Sequence, residues 1–225
     1  KKPLNSIPYE NTVDQSTFQL SSYDAEKFVV TFRTQRSKYF PFLYISSDTC
    51  AQQILQERPF LWLYIMAVSS TSTTQQMDLG NQIRHTIARK MLIQNERNIE
   101  LLLGLLTYIG WVNYQVQNKP SLSVSMQLAM SLVFELGLNK PPPKEPQGTF
   151  YFNHNACPRT STSIFRTMEE RRAVLGCFIF SSIVSAFLQK IDALRWTSYM
   201  EECLQTLAEK QESPMDEILV QRATL

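Results

Sequence analysis

The stretch EERRAVLGCFIFSSIVSAFLQKIDALRWTSYMEECLQTL, Glu169 to Leu207, decides the fold. It opens on the charged run Glu169-Glu170-Arg171-Arg172 and passes into an uncharged body, Ala173 to Leu188. A corner follows that holds Asp192, Arg195 and Trp196. Thr167 with Glu170 three residues on has capping-box spacing, which predicts a helix from there to about Lys190. Ser198 with Glu201 repeats the spacing and predicts a second helix, Tyr199 to about Lys210. Nothing in the stretch is arranged for catalysis.

Working outward, helix signals recur along almost the whole chain. Ser22 ahead of Asp24 and Glu26 starts a helix reaching about Ser37, with Phe28, Val29 and Phe32 as its inner stripe. Tyr39 to Ile45 is aromatic around Pro41 and reads as an anchor into the core, not a strand. Asp48 or Thr49 caps a short helix ending near Arg58, and Pro59 opens the next one. Leu79, Ile83, Ile87 and Met91 recur every four residues on an amphipathic helix from about Gln75 to Gln94. Asn98 caps an apolar helix from Ile99 to about Gln115, and Pro120 begins one ending at Leu136 with Gly137 as its left-handed cap. Ser213-Pro214 with Asp216 starts a last helix. The sum is an all-α bundle of eight or nine helices without significant sheet. Residues 1–21 read as a polar lead-in and 22–225 as one helical unit that stops inside its final helix, with a long proline-broken loop at 139–165.

Composition and motif searches narrow the function. Lys+Arg of 22 against Asp+Glu of 20 gives a net charge of only +2, too balanced for a chain that itself grips nucleic acid. Arg84, His85, Arg89 and Lys90 read as the solvated face of an amphipathic helix, and Trp62, Trp111 and Trp196 form no regular stacking platform. Cys50, Cys157, Cys177 and Cys203 match neither zinc spacing nor a dense disulfide framework, so they read as reduced and mostly buried. His85 and His154 stand apart from other ligand-type residues, so no metal site is expected. There is no phosphate loop, no nucleophile elbow and no paired-aspartate motif, and the chain is not read as an enzyme. The uncharged runs Leu101 to Val112 and Ala173 to Leu188 fall short of the ~20 residues a bilayer crossing needs, so no membrane partner is expected. The N-terminus lacks an apolar signal core.

Along the long helix, Glu169 and Arg172 are spaced to pair with each other. Asp192, Arg195 and Glu201 lie at the following corner, where an arginine fork can hold carboxylates across elements. Glu169, Arg171, Arg172, Asp192, Arg195, Trp196 and Glu201 are therefore the candidates for a structural brace that fixes helix packing. Any cofactor-binding residue stays unassigned.

Five blocks carry a resemblance: RPFLWLYIMAVSS (Arg58 to Ser70), LLLGLLTYIGWVNYQ (Leu101 to Gln115), QLAMSLVFELGLNKPP (Gln127 to Pro142), ERRAVLGCFIFSSIVSAF and ALRWTSYMEECLQTLAE. In this order they resemble the middle homology region of fungal binuclear zinc-cluster transcription factors, and they cover roughly Phe40 to Glu209. The resemblance implies an all-α regulatory domain in the nucleus. It implies control of activation through a small-molecule effector or transcriptional co-regulators, with a homodimer as a further option. The six-cysteine cluster that holds zinc and DNA in such proteins has no counterpart in these 225 residues. Zinc and DNA contact are then expected only in a separate domain of a parent protein. A ligand cavity is expected among the apolar helices near 60–68, 99–114 and 173–188, with the 139–165 loop as its lid. The alternative is a helical interaction scaffold that takes no small molecule.

Overall fold

The computed structural model describes residues 21–111, 121–142 and 165–224. Among them are nine α-helices and no strand: α1 Ser22–Thr31, α2 Ala51–Glu57, α3 Pro59–Ser69, α4 Thr73–Ile87, α5 Ile99–Trp111, α6 Ser121–Glu135, α7 Met168–Leu188, α8 Ser198–Lys210 and α9 Asp216–Thr224. The polar lead-in, the predicted helix boundaries at Gln115 and Pro120, and most of the 139–165 loop with His154 and Cys157 lie outside the described residues.

Two helices organise the packing. α3 is the N-terminal hub, touching α1, α2, α4 and α5, and α7 is the C-terminal hub, touching α5, α6, α8 and α9. α5 joins the hubs because it is apolar all round, with Leu101 to Ile109 continuously buried. Close approach at this seam needs glycine. A side-chain carbon at Gly104 would fall 2.2 Å from the Tyr64 ring, which Phe60 and Tyr108 hold edge-on at 4.8 and 6.3 Å. The seam where an internal cavity was expected is therefore filled by Tyr64, Phe60 and the leucines of α5.

The anchor at 39–45 behaves as its composition predicts. Phe40, Phe42 and Leu43 are buried while Tyr39 and Tyr44 stay exposed. Phe40 stacks on Phe32 at 6.0 Å, and Phe42 meets Phe180 of α7 edge-on at 5.7 Å. The stripe Leu79, Ile83, Ile87 and Met91 is buried throughout, although the regular helix yields to a wider turn over Ala88–Ile93.

Several helix ends are satisfied by other residues than the sequence suggests. Ser21, not Ser22, caps α1 by accepting from the Asp24 N–H at 3.1 Å. α2 has no local cap; its first amide, Ala51 N–H, donates to Glu26 Oε2 of α1 at 2.9 Å. Thr197, not Ser198, caps α8 through the Met200 N–H at 3.2 Å. The capping box of α7 forms as predicted, with Glu170 N–H to Thr167 Oγ1 at 3.1 Å and Thr167 N–H to Glu170 Oε2 at 2.8 Å. Asn98 Oδ1 receives the Leu101 N–H at 2.8 Å, and Gly137 takes a φ of +64° after α6.

Among the described cysteines, Cys177 and Cys203 are buried free thiols, whereas Cys50 is exposed. Burial pushes the Cys177 thiol well up, and it raises Cys203 despite the opposing pull of Tyr199 and Arg171. Burial likewise lifts Tyr64, and takes Tyr199, beside Cys203, to about 12. These groups are neutral when protonated, so above the ordinary thiol value of 9.0 the unfolded chain gives up protons that the folded chain keeps. The unfolded state then binds fewer protons, and stability falls as pH rises. A melting series from pH 7 to about 11 should be nearly flat at first and decline past about 9; a level curve throughout contradicts the burial of these groups.

Candidate functional site

The brace candidates divide into two ties and a corner. Glu169, in the first turn of α7, does not meet Arg172. Its carboxylate takes both terminal nitrogens of Arg58 at 2.6 Å each. Arg58 precedes α3, and the hydrogen bond to Glu169 outweighs partial burial, holding its pKa above the ordinary guanidinium value. At the same place Glu100 of α5 accepts the N–H groups of Phe60 and Leu61 at 2.7 and 2.9 Å. Three helix N-termini thus share two carboxylates and one guanidinium, the charge pattern that amide-rich helix starts favour. Local spacing suggested Glu169–Arg172, but the two side chains reach different neighbours, and Arg58 lies 111 residues away in sequence.

Arg172 points to α9. Its Nε donates to Asp216 Oδ1 at 2.6 Å and one Nη to Oδ2 at 3.0 Å, with Glu212 at 3.4 Å. Burial works against this charge, yet Asp216 and then Glu212 hold the Arg172 pKa above its usual value. Asp216 also receives the Ser213 N–H at 3.0 Å, so one carboxylate starts α9 and ties it to α7. Arg171 turns the other way, over the Tyr199 ring at 5.9 Å and 3.7 Å from Cys203 Sγ, against α8. Arg166, which sequence reasoning missed, donates to the Leu136 and Gly137 carbonyls at 3.2 and 2.7 Å and fastens the end of α6 to α7.

The corner is held differently from the predicted fork. Asp192 and Arg195 are exposed and form no ion pair among the described residues. Trp196 lies edge-on to Phe178 at 4.7 Å and donates from its ring nitrogen to Glu201 at 3.1 Å. Ser181, fully buried, accepts the Leu194 N–H at 3.0 Å and pins the returning chain to α7. No group of three or more metal-ligating side chains gathers among the described residues.

An apolar groove of about 550 Å³ lies between the 39–42 anchor, α7 and α9. Phe42, Gly176 and Phe180 form its floor, Ile179 and Ile183 one wall, and Leu219 with Arg222 the other. It opens at the surface, and its Phe180 ring reaches back to Gly110 of α5. α7 is also longer as a helix than its uncharged run. Its 21 residues contain an 18-residue window with a mean hydropathy of 1.5, long and apolar enough to cross a membrane by length and composition. Less than half of that window, 44%, is buried inside the fold. The buried side packs on four helices, and the open side is the groove.

Comparison with known proteins supplies what geometry alone does not. The chain is 41% identical over 216 residues to transcription factor opdL of Penicillium oxalicum, an alignment covering 93% of this chain and 37% of that protein. The chain is homologous to a segment of fungal transcription factors. Transcription factor himD of Aspergillus japonicus is 28% identical over 220 residues, covering 97% of this chain and 36% of that protein. A transcription factor of Aspergillus terreus is 28% identical over 222 residues, covering 98% of this chain and 29% of its own length. The chain therefore spans about a third of the relatives it matches. These are the names of transcription factors, not of enzymes. No protein-family model and no solved structure matches the chain.

Proposed function

We propose that this chain is the regulatory domain of a fungal zinc-cluster transcription factor, and that it sets the strength of activation through a partner docked on its surface. The observation that carries the reading is the alignment of more than nine-tenths of the chain with fungal transcription factors. The order of the five helical blocks adds the zinc-cluster type. In this reading, zinc and DNA contact belong to another domain of the parent protein, and the site of action is the nucleus. Control works by a shift between helix arrangements, biased by whatever binds one of them better.

The scaffold form of this reading, a protein partner in place of a small molecule, is favoured by two features. The seam between α3 and α5 is filled, and the apolar space opens at the surface along α7. The test places the full 225-residue chain between a heterologous DNA-binding domain and an activation segment in a fungal reporter strain. Output is expected to change severalfold against a fusion carrying an inert helical spacer. Equal output from the two fusions overturns the proposal.

A further inference from the structure

We infer that the groove along α7 receives an acidic amphipathic helix, which would make such a segment the docking partner of the regulatory domain proposed above and rests on that reading. Gly176, Ile179, Phe180, Ile183 and Phe187 recur at helical spacing and line one side of α7 from the groove outward. They extend over twelve residues, eleven steps of ~1.5 Å or about 16 Å, the length of a three-turn ligand helix. Ile183 and Phe187 are 56% and 77% exposed, so the outer end of the stripe has no cover among the described residues, while Gly176 at its inner end lies beneath Phe42. Helix-in-groove recognition uses apolar anchors of this spacing against a concave floor, here Phe42, Gly176 and Phe180.

Charge selects the sign of the partner. Arg222 stands in the groove wall, and its guanidinium donates to the Lys38 carbonyl at 3.4 Å, which brings Lys38 to the same edge. No carboxylate lines the groove among the described residues. An apolar floor with Arg222 and Lys38 along one edge and no carboxylate in the lining matches a helix that carries leucine or aromatic anchors on one face and Asp or Glu beside them. A lipid surface would meet a convex apolar face, whereas this one is concave.

The test pans randomised 16-residue phage-displayed peptides against the full chain, then measures winners by fluorescence anisotropy. Expected winners carry anchors at i, i+3 or i+4, and i+7, flanked by carboxylates. Ile183→Asp with Phe187→Asp should weaken their binding at least about tenfold, and Arg222→Glu about fivefold, partly restored for peptides whose carboxylates are changed to lysine. Both sites are exposed, and circular dichroism melts check that the variants fold. Winners without carboxylates, binding indifferent to the three substitutions, or no enrichment overturns the inference. So does tight capture by anionic phosphatidylserine vesicles that Ile183→Asp abolishes, or dimerisation through the same face in sedimentation. The same variants placed in the reporter fusion keep the two readings apart. A reporter effect that persists unchanged sinks the groove assignment and leaves the regulatory role standing.

Discussion

Asp216→Ala is expected to cost about 3–5 kcal/mol of folding stability, because it strands a buried guanidinium. The Arg172 side chain is 4% exposed and that of Asp216 0%, so neither group can turn to water when its partner is lost. Asp216 also takes the Ser213 N–H, and that buried amide is orphaned by the same change. Glu212 is no substitute. It reaches Arg172 at 3.4 Å from a position where its own side chain is 51% exposed, and Glu212→Gln should cost no more than about 1 kcal/mol. Replacing the whole pair, Arg172→Met with Asp216→Leu, should recover the part of the loss that comes from the stranded guanidinium, since an apolar pair avoids burying two charges, while the Ser213 N–H stays without its acceptor. Urea unfolding of the four proteins checks the ranking. A loss under about 1 kcal/mol for Asp216→Ala would mean that apolar contacts alone hold α9 on α7. The result bears on the groove too, because Leu219 and Arg222 of α9 form one of its walls.

Helices were legible in this sequence wherever the determinant was local. The Thr167/Glu170 box, the Asn98 cap, the four-residue stripe Leu79 to Met91 and the left-handed Gly137 all act within one or two turns, and all are found in place. The ties between helices were not legible, because their partners are distant in sequence. Arg58 and Glu169 are 111 residues apart, Arg172 and Asp216 are 44, and Glu26 caps a helix 25 residues away. Spacing could nominate Glu169 and Arg172 as brace residues but could pair them only with each other. At the corner, Arg195 and Asp192 were read as a fork, yet Trp196 and Ser181 make the contacts. A tryptophan packed on a phenylalanine, and a serine two turns inside an apolar helix, carry no pairing signal of their own. The expected internal cavity among the helices near 60–68, 99–114 and 173–188 gives way, for a related reason, to a groove on one face of the last of them. Apolar composition marks helices that pack together and helices that leave one face open in the same way, and only the α9 contact separates the buried side of α7 from its open side.

Phe42→Ala should lower stability by about 3–5 kcal/mol, a melting shift on the order of 10 °C for a chain of this size. Phe42 is 1% exposed and edge-on to both Phe40 and Phe180, at 6.1 and 5.7 Å. Its first two side-chain carbons lie where a side chain on Gly176 would have to go, at 2.8 and 2.9 Å. The backbone of the anchor is therefore seated directly on α7, and little is free to collapse into the space the ring leaves. Phe42→Leu keeps much of the volume and should cost less than about 1.5 kcal/mol. A loss for Phe42→Ala no greater than that of Phe42→Leu would show that the anchor relaxes and that the floor is pliable. The contrast with Ile183→Asp separates floor from rim. Ile183 is exposed, so its replacement should leave stability within the range of ordinary surface changes, about ±0.5 kcal/mol, while weakening peptide capture. Phe42→Ala should do the reverse at temperatures well below its melt. It keeps the rim cations and Ile183 in place, so a bound acidic helix loses one contact beneath it but none of its charge partners.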